Sequence, residues 1–220
     1  MSFLLFLVSA LLSLGEEVTP FGANLGKNSD TIGYSNGNDS YTSNVDNYLG
    51  ATFTGMKWQC VEYARRWLIT EKGITFDSVD GAADIWTLDN FLKVSDGSKV
   101  SISTIESGSE CKPVVGNLLI YKRGGSDIPY GHVAVITYVN DKYVRVAEQN
   151  WDNDYWPADY SRQLTFTIKD DKYFLIDDDF PIFGWIEYTG TEGDCENESS
   201  FGTRQASFYI ELAILTLLLG

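Results

Sequence analysis

Histidine is almost absent from this chain: His132 is the single one in 220 residues, accompanied by three cysteines, Cys60, Cys111 and Cys195. One imidazole and scattered thiols fall short of the three or four nitrogen and sulfur ligands of a zinc site, so neither a metal nor another cofactor is expected. The acidic run Asp177-Asp178-Asp179 does not have the spacing of a calcium-binding loop and reads as a solvated turn. No glycine-rich phosphate loop follows a strand; Arg123-Gly124-Gly125-Ser126 is a turn. Basic residues are scarce as well, 16 against 31 acidic ones, for a net charge of −15. That balance disfavours nucleic acid and anionic membrane as partners. It serves solubility, or suits a cationic ligand such as a polyamine conjugate. Three cysteines are too few for a disulfide framework. Cys111 and Cys195 either bridge in an oxidising compartment, leaving Cys60 free, or stay two unpaired thiols.

What the chain has in quantity is apolar and aromatic surface: 44% hydrophobic residues, with 13 tyrosines, 12 phenylalanines and 6 tryptophans. Such a chain folds, and its length suits one domain with separate ends. Residues 1–15 read as a signal peptide, an apolar run from Phe3 to Leu14 with a small-residue cleavage site after Gly15, although no lysine or arginine precedes it. Two sequons, at Asn38 and Asn197, agree with secretion. The domain proper is expected over 16–189, followed by a polar linker and short apolar tail over 190–220. That tail is too short to span a bilayer comfortably; it resembles a lipid-anchor signal or is simply an apolar end. These ends predict a secreted, endomembrane-lumenal or cell-surface protein, with the cytoplasm as the alternative.

Residues 16–54, rich in Asn, Ser, Gly and Asp, read as loops. Val61, Ala64, Trp67 and Leu68 recur at helical spacing, predicting a helix from Gln59 to Lys72 that Gly73 ends. A second helix is expected over 82–92. Beyond Pro113, short β-branched or aromatic runs at 117–121, 132–139, 142–147, 164–168, 173–176 and 183–188 predict strands. Helices first and antiparallel strands afterwards make an α+β domain, its N-terminal helices packed on an antiparallel sheet.

Cys60 falls in the first turn of the predicted helix, where unpaired N–H groups and the helix dipole favour a thiolate. If Asn140-Asp141 turn the chain, strands 132–139 and 142–149 pair, and His132 and Glu148 fall almost opposite one another on one face. A carboxylate there would fix the histidine tautomer and stabilise its charged ring. A thiol, an imidazole and a carboxylate are the parts of a nucleophilic acyl-transfer centre.

The segments Lys57-Trp58-Gln59-Cys60-Val61-Glu62-Tyr63-Ala64-Arg65-Arg66, Val115-Gly116-Asn117-Leu118-Leu119-Ile120, Gly131-His132-Val133-Ala134-Val135-Ile136, Val144-Arg145-Val146-Ala147-Glu148-Gln149-Asn150 and Gly184-Trp185 resemble the cysteine/histidine-dependent amidohydrolase/peptidase (CHAP) superfamily. Within it they are most similar to the amidase domains of glutathionylspermidine synthetase/amidase and trypanothione synthetase, over residues 20–188. The resemblance implies a papain-like fold, with Cys60 as nucleophile, His132 as general base and acid, and Glu148 as the orienting carboxylate. It further implies that Arg65 and Asn150 contact substrate. Gln59, with the backbone N–H of Cys60, is a candidate oxyanion donor. A small peptide or polyamine-conjugate substrate follows, without any ligase activity, which belongs to a segment outside the resemblance. Secretion would instead suit peptidoglycan peptides. A non-catalytic binding module on the same fold is the third reading.

Overall fold

The structure is a computed structural model that describes residues 18–38 and 41–191. The expected signal peptide, Cys195, the Asn197 sequon and the apolar tail lie outside the described residues. Two short hairpins come first, β1 (Asn24–Asn28) with β2 (Thr31–Tyr34), and β3 (Asp46–Leu49) with β4 (Thr52–Met56). Helix α1 (Cys60–Lys72) follows, then β5 (Ile74–Thr75), a 3-10 turn over Ala82–Thr87, β6 (Asn90–Lys93) and β7 (Lys99–Glu106). The remaining strands are β8 (Leu118–Tyr121), β9 (His132–Val139), β10 (Tyr143–Ala147), β11 (Arg162–Lys169), β12 (Lys172–Ile176) and β13 (Ile182–Tyr188). Among the described residues, β5 to β13 form one antiparallel sheet in the order β12-β11-β10-β9-β8-β13-β7-β6-β5. This is the expected α+β, papain-like arrangement of an antiparallel sheet with helical structure on it.

The central strands are apolar on both faces because both faces are covered. Leu118, Ile120, Val133 and Val135 pack with Tyr63, Ala64, Trp67 and Leu68 of α1. Leu119, Tyr121, Ala134 and Ile136 point the other way and meet Val144, Val146, Leu164, Phe166 and Trp185. The sheet encloses this second core by curling. The Gly108 N–H donates to Tyr173 O (2.7 Å) and the Tyr173 N–H to Ser109 O (2.8 Å), tying the end of β7 back to β12. Helix α1 stops at Gly73, whose left-handed backbone (φ 66°) returns its N–H to Leu68 and Ile69 carbonyls.

Two expectations need correction. Residues 16–54 hold two hairpins rather than loops. Gly26 and Gly33 lie in strands because the Trp156 indole rests on them; a Cβ on either would come within 2.7 or 2.3 Å of that ring. The expected second helix stops after the 3-10 turn, since Leu88 is already extended (ψ 144°). Pairing with β7 then draws Asn90–Lys93 into the sheet and buries Phe91 completely. Strands β5, β6 and β7 had no counterpart in the sequence reading.

The hairpin of β9 and β10 has a register that decides the site. Val139 faces Val144 and Tyr138 faces Arg145. Continued unchanged, that register would set Glu148 on the face away from His132. Thr137 is an extra residue in β9, so Ile136 faces Val146 and Val135 faces Ala147. One step further, position 148 falls opposite Ala134, on the same face as His132 and two residues from it. The expected shared face is reached, by a bulge and a diagonal pairing rather than a direct one.

His132 follows Gly131, whose φ of 70° suits glycine and whose missing Cβ would sit 2.7 Å from both Ala83 Cβ and Tyr121 O. Replacing Gly131 with alanine is expected to cost about 2–3 kcal/mol, from strain and overpacking together. Urea unfolding of Gly131→Ala measures that loss, and slower alkylation of Cys60 in the folded variant would report the displaced imidazole.

Candidate active site

Cys60 opens α1, and Gln59 before it is extended (ψ 160°) without a side-chain cap. The first-turn N–H of Val61 and the N–H of Val133 from β9 both point at the sulfur, and the His132 ring hydrogen-bonds it. The thiol is buried, 9% exposed. Burial opposes its ionisation, but the charge and hydrogen bond of His132 and the two N–H groups outweigh burial and lower its pKa below the ordinary thiol value. His132 Nε2 lies 2.8 Å from Glu148 Oε2, which leaves Nδ1 for the sulfur. Burial disfavours the imidazolium, yet the Cys60 thiolate and then Glu148 raise the His132 pKa to about 9. Glu148 is itself buried, which would raise it; Arg162 first and His132 next bring it down to about 2. The three side chains thus favour one another's charged forms: thiolate, imidazolium and carboxylate. The sequence-predicted Cys60, His132 and Glu148 come together in one hydrogen-bonded row.

Other expected residues meet different partners. Arg65 is 3% exposed. Its guanidinium donates to three backbone carbonyls, Thr54 O (2.8 Å), Phe76 O (3.2 Å) and Asp77 O (3.2 Å). Burial depresses its pKa to about 10 despite Glu62 and Asp77 nearby. The expected substrate contact is thus corrected to an anchor holding α1 to the β4 and β5 flanks. The Gln59 amide nitrogen donates to Asn36 Oδ1 (3.1 Å) and Tyr41 O (3.4 Å), which ties it to the 36–41 segment rather than leaving it for an oxyanion. Asn150, in the left-handed region at φ 54°, donates to Gln59 Oε1 (3.0 Å) and accepts from Asn36 Nδ2 (3.0 Å). Asn36, Gln59 and Asn150 are therefore a ring of amides that joins three segments beside the thiol.

Sequence reasoning missed the groups behind Glu148. Arg162 Nε donates to Glu148 Oε1 (2.6 Å) and Ser161 Oγ to the same oxygen (3.1 Å). Trp151 carries the Arg162 guanidinium over its ring at 3.7 Å and sets its edge against His132, centroids 4.6 Å apart. Arg162 begins β11 opposite Val146 of β10. That pairing spans a long connection with no turn signature, so no local pattern marks the arginine as a neighbour of Glu148.

Residues 51–150 match the family model described as CHAP domain. The chain is 37% identical over 166 residues to trypanothione synthetase of Crithidia fasciculata, covering 72% of this chain and 25% of that enzyme. It is 36% identical over 146 residues to the bifunctional glutathionylspermidine synthetase/amidase of Escherichia coli (strain K12), covering 64% of this chain and 24% of the relative. The matched part therefore spans about a quarter of the length of these relatives. Kinship with these synthetase and synthetase/amidase enzymes corrects the expectation of a secreted or surface-anchored protein. Among the described residues no helix is long and apolar enough to cross a membrane. The kinship supports cysteine hydrolase or peptidase activity in general terms. This chain carries a CHAP amidase-type domain related to glutathionylspermidine synthetase/amidase and trypanothione synthetase.

Proposed function

We propose that the domain, taken as residues 16–189, hydrolyses an amide in a glutathionylspermidine-like polyamine conjugate through a thioester on Cys60. The observation that carries this reading is the row from Cys60 through His132 to Glu148, with the sulfur at a helix start and its ionisation favoured. The Cys60 thiolate attacks the amide carbonyl, and the His132 imidazolium gives its proton to the departing amine. Water then attacks the thioester with His132 as base, and the thiolate returns. Glu148 holds the ring by Nε2 and keeps it charged until the proton is needed. The N–H groups of the first helical turn are the natural donors to the oxyanion. The net charge of −15 favours approach of a polycation, which supports spermidine as the leaving amine.

Incubation with glutathionylspermidine and detection of free spermidine tests the substrate; release of fragments from peptidoglycan peptides instead would move the assignment to a peptidase. Cys60→Ala is expected to lower turnover at least about a thousandfold. If Cys60→Ala keeps its activity, the thioester route is wrong.

The pH profile gives a second test. His132 must be protonated to expel the amine, and its pKa is raised to about 9, so kcat/KM is expected to fall as pH rises through about 9. Glu148 is one of the groups that raise it. Glu148→Gln should therefore move the falling limb to lower pH, and an unmoved limb would deny Glu148 that role.

A further inference from the structure

The Arg162 guanidinium does more than meet Glu148. Its Nη1 donates to Asp177 Oδ2 (3.0 Å) and its Nη2 to Tyr121 Oη (2.9 Å), while Tyr121 Oη donates to Asp177 Oδ2 (2.9 Å). Asp177 is fixed from behind, its Oδ1 accepting the N–H groups of Asp179 and Phe180 (3.1 and 3.3 Å). Both partners of the Arg162–Asp177 pair are largely buried, their side chains 16% and 4% exposed. A buried arginine with two carboxylates, a phenol and an indole face is held in one position.

These residues also lie in order along one edge of the sheet. Tyr121 ends β8, His132 begins β9, Glu148 follows β10, Arg162 begins β11 and Asp177 follows β12, and these five strands are consecutive neighbours. With Cys60 in front, the charges alternate along the row: thiolate, imidazolium, carboxylate, guanidinium, carboxylate.

We infer that Arg162, locked by Asp177 and Tyr121, is a positioning residue that holds Glu148 ionised and aimed at His132, and so sustains the reactive thiolate. The inference rests on the proposed cysteine chemistry but not on the identity of the substrate. Glu148 is faced by His132 from β9, by Ser161 and Arg162 at the start of β11, by Tyr121 from β8, and at longer range by Tyr63 of α1, Asp152 and Asp177. Of these, Arg162 carries a permanent positive charge, and it is the strongest influence opposing the effect of burial on Glu148. Without it, burial and the nearby Asp152 carboxylate both favour the protonated form of Glu148. His132 then loses its counter-charge, and the thiolate loses the imidazolium. A cavity of about 220 Å³ is lined in part by Glu148, Ser161 and Arg162.

The test follows Cys60 itself, by the pH dependence of its alkylation with iodoacetamide, so no substrate enters. In the unaltered protein, alkylation should stay fast well below pH 8; ordinary thiol kinetics there would overturn the cysteine chemistry itself. In Arg162→Met the acid limb is expected to move up by about one pH unit or more. Arg162→Lys should restore part of that shift. Guanidinium ion at millimolar levels, entering the cavity, should speed alkylation in Arg162→Ala but not in the unaltered protein. An activated thiol whose profile is the same in Arg162→Met overturns the inference and leaves the proposed function standing. Should Arg162→Met fail to fold, Asp177→Asn decides: an upward shift supports the lock, and an unshifted limb overturns it.

Discussion

Glu62 collects donors from four parts of the chain: Asn47 in β3, Thr54 in β4, Arg66 one turn along α1, and Gln149 in the segment after β10. Its side chain is wholly buried, and both oxygens are used. An unpaired carboxylate in such a place would cost several kcal/mol, on the order of 3–5 when a partner is removed. The carboxylate is tolerated because every surrounding segment contributes a proton to it. Arg66 continues outward to Ile32 O and Gln149 Oε1, and Gln149 Oε1 also accepts the Tyr34 N–H. The first turn of α1, both early hairpins and the 148–150 segment are thus locked to one another through a single charge. Cys60 and Glu148 belong to two of the pieces so joined.

The proposed acid–base chemistry draws on strand ends held by this frame. The sheet edge brings one polar side chain from each of five neighbouring strands into line, and α1 adds the sulfur across the edge. Burial works against the ionised forms of Cys60, His132 and Glu148, and for each of the three, neighbouring groups offset it. The aromatic groups assist by excluding water: Trp151 lies between Arg162 and His132, and Tyr121 sets its ring edge-on to the same imidazole. The amide ring of Asn36, Gln59 and Asn150 does comparable work on the other side of the thiol without carrying charge.

The parts of this arrangement that were legible in the sequence are those with a period or an unusual residue. Helix α1 declared itself through apolar spacing and Gly73, and the later strands through their β-branched runs. Cys60 and His132 stood out as rare residues, and Glu148 by its hairpin position relative to His132, in a pattern shared with CHAP amidases. The early hairpins were hidden because Gly26 and Gly33 are strand residues chosen for contact with Trp156, a partner far away in sequence. Arg65 was expected at the substrate through the resemblance alone; the structure pairs Glu62 with Arg66 and buries Arg65 on backbone carbonyls, partners that no local pattern marks. The bulge at Thr137 had no mark at all, although without it His132 and Glu148 would lie on opposite faces. Arg162 needed knowledge of which strand lies beside β10. Charge partners are set by tertiary neighbours, and neighbours across a sheet are the least local information that a chain contains.

The sulfur sits on an early helix, while the groups that ionise it, the His132 ring and the Val133 amide, arrive with β9 much later in the chain. During synthesis the cysteine therefore emerges long before anything can make it nucleophilic. A nascent or partly unfolded chain carries an ordinary, mostly protonated thiol, a weaker nucleophile than an activated one. On the proposed chemistry, only closure of the central sheet assembles the centre, so that reactivity would itself be a signature of completed folding.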